Sequence, residues 1–236
     1  MTRHSPTTPI VLPIQRSVLL MNTLLVEGGL AVLALFLSYW IGPDLFGDFN
    51  WNRYDIMIGC LGAVPPLVLI LAMDRFPIGP FRHISDISDK FLRPLLANCK
   101  WPDYFLLAFL AGFCEELLFR GWMQLFLINW VPVWCSVLIT GIIFGLCHLI
   151  TPAYFIIACL ISIYLSCLYI WSGNLVVPML THGVYDLIAI FAVMAFSPKS
   201  MLNIESESLH MPMNSTSPQQ NDRELPAKEE GNESNS

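Results

Sequence analysis

Two adjacent carboxylates and an arginine, Glu115, Glu116 and Arg120, lie inside a long apolar stretch of the sequence. Each charge at a bilayer centre costs about 2.5–3.5 kcal/mol on insertion scales, so three together indicate a function or a paired network. On an α-helix, Glu116 and Arg120 lie one turn apart and can pair. Glu115 points about 100° away and has no charged partner in its own helix. We therefore predict that Glu115 is a partly desolvated carboxylate able to act as a general base.

The later apolar stretches contain few other groups suited to acid–base chemistry: His148, His182 and Asp186. His182 and Asp186 are four residues apart, so the carboxylate can fix the imidazole tautomer on a shared helix face. Phe144 has the same spacing from His148. Counting about 1.5 Å of rise per residue, these side chains can meet Glu115 at the bilayer midplane or in its cytoplasmic half.

The composition is that of an integral membrane protein. Of its 236 residues, 55% are hydrophobic and only 13% are charged, against about 25% charged in an average soluble domain. The net charge of −6 comes largely from the C-terminal residues, and the chain has no basic patch with interleaved aromatic residues. We therefore expect no binding to nucleic acid.

Seven cysteines lie mostly within apolar stretches, without the spacing of a metal site or a disulfide framework. We expect them to be small, reduced, hydrophobic residues. Cys114 and Cys147 each adjoin a candidate site residue, which raises the alternative of a thiol protease. Adjacent residues of a helix point in different directions, so the sequence does not favour that alternative.

Six apolar stretches have the length of membrane spans, so we predict an all-α, polytopic membrane helix bundle of about six transmembrane helices with a polar intramembrane site. They cover about 17–41, 54–73, 104–130, 133–150, 153–171 and 175–196. Pro65-Pro66 must kink the second span. The first span is longer than the apolar region of a signal peptide and lacks a clear cleavage site, so we expect it to be retained.

The predicted regions are a cytoplasmic N-terminal lead-in (1–16), the transmembrane bundle (17–197, with its catalytic core at 101–196) and a disordered cytoplasmic tail (198–236). Residues 74–103 contain five basic residues and the loop 42–53 contains one. By the positive-inside rule, 74–103 and both termini are therefore cytoplasmic. Within this stretch, Ile84–Cys99 reads either as a surface helix with Ile87, Phe91, Leu95 and Leu96 facing lipid, or as an ordinary loop.

Glu27 is a further carboxylate within an apolar stretch, and Gly28 and Gly29 follow it. One interpretation is a helix-packing notch at the two glycines, with Glu27 hydrogen-bonded to a neighbouring helix. The other is that Glu27 supports the site around Glu115 from a second layer.

Three motifs together resemble those of the CPBP family of intramembrane proteases. They are Glu115-Glu116-x-x-x-Arg120, Phe144-x-x-x-His148 and His182-x-x-x-Asp186, within about residues 100–195. That family includes the CAAX prenyl endopeptidases and the bacterial Abi or bacteriocin-processing proteins. The resemblance implies that Glu115 activates a water molecule, that His148 assists, and that His182 with the last motif residue stabilises the oxyanion. Glu116, Arg120 and Phe144 are then supporting residues.

The resemblance also implies a peptide or protein substrate, prenylated or otherwise membrane-anchored, cleaved near the cytoplasmic face without a cofactor or metal. The length of the chain and its first span are closer to the bacterial members, which favours a bacterial plasma membrane over the endoplasmic reticulum. One position departs from the better-known eukaryotic members, which have Asn where this chain has Asp186. Either burial keeps Asp186 protonated, or Asp186 orients His182 and the imidazole alone donates to the oxyanion; we favour the second.

Two alternatives stay open at this point. His148, His182 and a carboxylate are a suitable ligand set for zinc, with Glu115 as the base, although the chain lacks a His-Glu-x-x-His helix. A membrane scaffold, an immunity protein or a small-molecule carrier is the non-enzymatic alternative, in which the buried charges only hold the helices together.

Overall fold

The computed structural model describes residues 13–75 and 91–195, and all regular structure in these two ranges is helical. The helices are α1 (Arg16–Ile41), α2 (Arg53–Gly62), α3 (Val64–Arg75), α4 (Arg93–Leu96), α5 (Trp101–Leu110), π1 (Ala111–Glu115), π2 (Leu117–Gln124), α6 (Leu125–Ile128), α7 (Val133–Cys147), α8 (Pro152–Ser172) and α9 (Val176–Ala195). The predicted all-α, polytopic fold is confirmed.

Four of the described helical stretches are long and apolar enough to cross a membrane: Arg16–Ile41, Arg53–Ile70, Pro152–Ser172 and Val176–Ala195. α7 is a shorter apolar helix. The second stretch breaks between α2 and α3, just before Pro65-Pro66, as predicted from the missing proline N–H groups. α7 ends at Cys147, three residues earlier than the predicted span, so His148 lies at the end of the helix and not inside it.

The third apolar stretch is helical from Trp101 to Ile128, but its middle is not a regular α-helix. π1 and π2 occupy most of that middle, so the expectation of α-helical geometry is wrong from Ala111 to Gln124. π-helical turns are rare and are frequently found at functional sites. Here they contain Glu115 and Arg120, with Glu116 between them.

Contacts at the two ends show which helix termini lie together. The Arg16 guanidinium donates two hydrogen bonds of 2.6 Å to the Asp103 carboxylate, which joins the start of α1 to the start of α5. At the other end, the Asn174 amide donates to the Asn50 carbonyl at 2.6 Å, and the Leu175 N–H donates to the Asp48 carbonyl at 2.8 Å. The connection between α1 and α2 therefore lies against the turn between α8 and α9.

Local sequence explains several helix boundaries. Asn52 caps α2, because its side chain accepts a hydrogen bond from the Asp55 N–H at 2.9 Å. Thr151 caps α8, because its hydroxyl accepts a hydrogen bond from the Tyr154 N–H at 3.2 Å. Gly173 ends α8 in the left-handed conformation, with φ 61°, which a glycine adopts without steric cost. Gly173 lies in the turn between α8 and α9, so its conformation reverses the chain between these two helices.

α9 is the central helix of the bundle and packs against α2, α3, α5, π1 and α8. The Thr181 hydroxyl donates to the Gly59 carbonyl at 2.9 Å, which joins α9 to α2 inside the core. α1 packs along π1, π2 and α5, and of its residues only Leu19 and Ala34 are buried. Most of its remaining apolar side chains are exposed on the protein surface, as expected for a lipid-facing helix.

Two of the interpretations left open for the periphery do not fit the structure. Leu96 is buried against Leu19 and Tyr104, and Leu95 packs, half-buried, on the same cluster, which does not fit a surface helix with both side chains facing lipid. Gly28 and Gly29 form no packing notch, because a Cβ atom at either position would meet no other atom within 4 Å. Ile87, the predicted tail 198–236 and most of the lead-in 1–16 lie outside the described residues.

Candidate active site

The core of the site is a fully buried ion pair between Glu116 and Arg120, as their spacing predicted. Arg120 Nη1 donates to Glu116 Oε1 at 2.6 Å, and both side chains are completely shielded from solvent. Arg120 Nη2 also donates to the hydroxyl and the main-chain carbonyl of Ser162, at 2.6 and 2.8 Å. The arginine therefore attaches π2 to α8.

Glu116 has a second partner that the sequence did not reveal. Its Oε1 atom lies 2.8 Å from Nδ1 of His182. A carboxylate oxygen can only accept, so Nδ1 carries the proton and donates it to Glu116. This bond fixes the ring of His182 on α9 relative to the Glu116–Arg120 pair, which makes Glu116 part of the site and more than a structural anchor.

Glu115 points away from this ion pair, into the space between two histidines. Its Oε1 atom is 3.8 Å from Nε2 of His148, and its Oε2 atom is 3.9 Å from Nε2 of His182. The residue is only 7% exposed, and within the described residues Oε2 has no hydrogen-bond partner. The structure thus brings together the three residues that the sequence singled out for chemistry.

His148 reaches the site from the end of α7. Its Nδ1 lies 2.9 Å from the carbonyl oxygen of Phe144, which can only accept, so Nδ1 is the protonated nitrogen and Nε2 is directed at Glu115. The ring also stacks on Phe144, with centroids 4.4 Å apart. Phe144 in turn lies 5.0 Å below the guanidinium carbon of Arg120, a cation–π contact that links His148 to the buried ion pair.

Asp186 also contacts His182, the residue that the sequence predicted it to orient. Its Oδ2 atom lies 3.4 Å from Nε2 of His182 and its side chain is 29% exposed. Glu116 makes the shorter contact, to the opposite nitrogen of the ring. Glu116 and Asp186 therefore contact opposite nitrogens of the His182 ring, and Asp186 borders the nitrogen that faces Glu115.

Close backbone packing holds π1 against α9 at the level of the site. A Cβ atom on Gly112 would lie 2.5 Å from the Gly183 nitrogen and 2.8 Å from the Met179 carbonyl oxygen. Only glycine fits this contact, since real Cβ atoms essentially never approach so closely. It sets the separation between Glu115 and its neighbour His182.

Sequence reasoning missed two residues that shape the site. Ser162 accepts from Arg120, and the Tyr185 ring stacks on His182 with centroids 5.1 Å apart and an angle of 4° between planes. A polar residue in the middle of an apolar span was the available signal for Ser162. Tyr185 lies three residues after His182, a spacing that places it near the same helix face.

Metal binding is the other chemistry that these residue types can perform. Among the described residues, no group of three or more His, Cys, Asp or Glu side chains is arranged to hold a metal ion. All seven cysteines are free thiols; Cys114 is buried and Cys147 is exposed.

Comparison with known proteins identifies the group to which this site belongs. The model of the type II CAAX prenyl endopeptidase Rce1-like family matches residues 97–188, a range that contains all three motifs. The chain is also 31% identical over 173 residues to the uncharacterized protein YpbD of Bacillus subtilis (strain 168), covering 68% of this chain and 84% of YpbD. The chain belongs to the Rce1-like family. The resemblance to the CPBP proteases is thereby confirmed.

Membership of the Rce1-like family assigns the chain to the membrane peptidases of the CAAX protease type. Such an enzyme is a hydrolase that acts on a peptide or protein within a lipid environment. No solved structure matches the chain.

Proposed function

We propose that this protein is an intramembrane endopeptidase in which Glu115 activates the water molecule that attacks the peptide bond. The observation that supports this role is the position of the carboxylate, shielded from solvent and facing Nε2 of both His148 and His182. The adjacent Glu116 is already neutralised by Arg120. Of these two adjacent carboxylates, Glu115 is therefore the one that is free to take a proton.

The spacing of the three groups suits a shared water molecule. Separations of 3.8 and 3.9 Å are too long for direct hydrogen bonds. One water oxygen at about 2.8 Å from each atom of such a pair completes two good hydrogen bonds. Water held in this way is oriented for attack and lies beside the base that deprotonates it.

The two histidines take different roles because different acceptors fix their Nδ1 protons. His148 donates Nδ1–H to a neutral carbonyl, which leaves Nε2 to hold the attacking water. His182 donates Nδ1–H to Glu116 and has Asp186 near Nε2. With a second proton on Nε2, His182 is held between these carboxylates and donates to the oxyanion of the tetrahedral intermediate.

The reaction balances without a cofactor. Glu115 takes a proton from water, and the water oxygen forms a bond to the carbonyl carbon of the substrate. The resulting oxyanion accepts a hydrogen bond from His182. When the intermediate collapses, the C–N bond breaks and Glu115 returns the proton to the leaving amine, which gives one new carboxyl terminus and one new amino terminus.

We also propose where the enzyme works. α7 is only 15 residues long, so its His148 end lies about 22 Å from its start, within a hydrocarbon core about 30 Å thick. Arg16, Arg93 and Lys100 are at the opposite end of the bundle from the start of α7, which makes their end cytoplasmic by the positive-inside rule. The site then opens toward the cytoplasmic face of a bacterial plasma membrane, with substrates that are prenylated or otherwise membrane-anchored.

Replacement of Glu115 by glutamine tests the mechanism. Glu115→Gln keeps the shape of the side chain but removes the base, so we expect cleavage to fall by at least about 10²–10⁴-fold. The measurement compares the membrane peptidomes of wild-type and variant cells, with thermal unfolding of both purified proteins as the check on folding. Cleavage that persists in a folded Glu115→Gln protein rules out this mechanism.

Three controls separate the alternatives. Cys114→Ala and Cys147→Ala are expected to retain cleavage, since the proposed reaction uses no thiol. Activity that disappears on exhaustive chelation and returns with zinc would support a metallopeptidase instead. A cellular phenotype that survives Glu115→Ala would support the scaffold hypothesis.

A further inference from the structure

Glu27 lies on the inward face of α1, a helix that otherwise faces mainly lipid. It precedes the fully buried Ala34 by two helical turns, so the two residues share a face. Leu30 and Ala31, on the same side, pack against the core. Glu27 is eleven residues into α1, about 16 Å from its start, and so lies deep in the bilayer.

The carboxylate of Glu27 belongs to the surroundings of the site but is not bonded to them. It interacts electrostatically with Glu115, His182 and Asp186. Its Oε2 atom is buried and has no hydrogen-bond partner among the described residues. A polar atom left unsatisfied inside a membrane protein is costly, so the Glu27 carboxylate is a group that a bound ligand can satisfy.

A purely structural explanation of Glu27 does not fit the geometry. The packing notch that would join α1 to a neighbour at Gly28 and Gly29 is absent, as the open space around both glycines shows. No interhelical hydrogen bond from the Oε2 atom of Glu27 to a described residue therefore explains the position of this side chain.

The charges around the site define what Glu27 can bind. Glu27, Glu115 and Asp186 are hydrogen-bond acceptors when ionised, while Arg120 is already bonded to Glu116 and Ser162, and His182 to Glu116. What complements this set is a donor. A peptide substrate offers N–H groups from its backbone amides and from Lys or Arg side chains.

We propose that Glu27 is a substrate-binding residue that accepts a hydrogen bond from an N–H group of the peptide beside the cleaved bond. The inference rests on the proposed peptidase function and extends it to substrate recognition. The donor is either a backbone amide or a basic side chain, since both present the same chemistry to a carboxylate.

The first experiment compares membrane peptidomes of cells with wild-type protein, Glu115→Gln, Glu27→Gln and Thr23→Val. Thr23 is the matched control because it lies one turn before Glu27 on the same face of α1. We expect the Glu115-dependent cleavages to weaken in Glu27→Gln and to persist in Thr23→Val. If Glu115→Gln matches wild type, the peptidase mechanism fails and this inference with it. If Glu115→Gln differs while Glu27→Gln matches wild type, the inference about Glu27 alone is wrong.

The second experiment uses purified full-length protein and a synthetic peptide copied from a Glu115-dependent cleavage site. We expect Glu27→Gln to raise KM by about 10- to 100-fold, the effect of one hydrogen bond to a charged group, with kcat nearly unchanged. Unfolding temperature should stay at the wild-type value. A loss in kcat alone, or a loss of thermal stability that accounts for the lost activity, would contradict a binding role.

Modified peptides identify the donor. Replacing Lys or Arg with norleucine removes a basic side chain, and N-methylation removes one backbone N–H at a time. In the peptide that lacks the true donor, wild type and Glu27→Gln should have the same KM, as a double-mutant cycle requires for a direct contact. If the variant penalty persists in every modified peptide, Glu27 does not bind a substrate N–H.

Discussion

At the scale of single residues, Glu116 connects the two halves of the site. One carboxylate oxygen accepts from both Arg120 and His182, so the charge that neutralises the arginine also positions the imidazole. Burying an ion pair is costly, and additional hydrogen bonds to its two members offset part of that cost. Here Ser162 accepts from Arg120 and His182 donates to Glu116, while Glu116 Oε2 and Arg120 Nε have no hydrogen-bond partner among the described residues.

This dependence predicts a sharp contrast between two acidic residues. Glu116→Ala leaves Arg120 and His182 without their shared acceptor in a fully buried position, so we expect a loss of stability of about 3–5 kcal/mol. Asp186 is partly exposed, and Asp186→Asn should cost no more than about 1 kcal/mol. Thermal unfolding of both purified variants measures the difference.

The Asp186→Asn variant also tests how His182 is oriented. If Glu116 provides the main orientation, Asp186→Asn should keep most of the cleavage activity, because the His182–Glu116 bond is untouched. Activity as low as that of Glu115→Gln in a folded Asp186→Asn protein would assign the orientation to Asp186 instead.

At the scale of helices, the distance between π1 and α9 decides whether Glu115 and His182 meet. The two elements approach so closely because Gly112 lies against the backbone of Gly183. The π-helical turns around this contact contain the catalytic candidates of the third span. Glycine is used here for close approach and not for turn formation.

Two glycine substitutions isolate this contact. In Gly112→Ala the new Cβ atom would lie 2.5 Å from a backbone nitrogen, so π1 must move away from α9. We expect a loss of about 1–3 kcal/mol from overpacking, together with a large fall in cleavage. Gly28→Ala is the matched control, since its Cβ atom meets nothing within 4 Å and alanine favours helix by about 0.5–1 kcal/mol.

Thermal unfolding and cleavage assays on the two glycine variants distinguish strain at the contact between π1 and α9 from a general intolerance of the membrane helices to replacement of glycine by alanine. Equal behaviour of Gly112→Ala and Gly28→Ala would show that the approach of π1 to α9 does not limit activity.

At the scale of the whole molecule, the two ends of the bundle are chemically distinct. One end has the Arg16–Asp103 ion pair and Lys100. The other has a polar network around Asn174, in which its amide donates to the Asn50 carbonyl and the Asp55 carboxylate. Tyr169 adds a 2.8 Å hydrogen bond to Asp48. The excess of Lys and Arg at the first end favours a single orientation in the membrane.

Reporter fusions test this orientation. We expect green fluorescent protein at the C-terminus to fluoresce, because that terminus is proposed to be cytoplasmic. Alkaline phosphatase should be active when fused after Trp130, at the opposite end of the bundle, and inactive at the C-terminus. The reverse pattern would place the opening of the site on the outer face and would overturn the proposed cytoplasmic cleavage.

The sequence by itself determined the membrane class, the order of the apolar spans and the identity of the polar residues inside them. It did so because an intramembrane charge is expensive and a helix repeats every 3.6 residues, so Glu116 and Arg120 could be paired from their spacing alone. The break before Pro65-Pro66 followed equally from the chemistry of proline. These are local rules, and they hold wherever the helix packs.

Only the tertiary structure decided which polar residues meet. The Glu116–His182 bond joins residues 66 positions apart and the Arg120–Ser162 bond joins residues 42 apart, so no local pattern encodes either. The π-helical turns and the Gly112–Gly183 contact depend on how π1 packs against α9. Side-chain rotation about a helix is set by its neighbours, and that packing is what places Glu115 between His148 and His182.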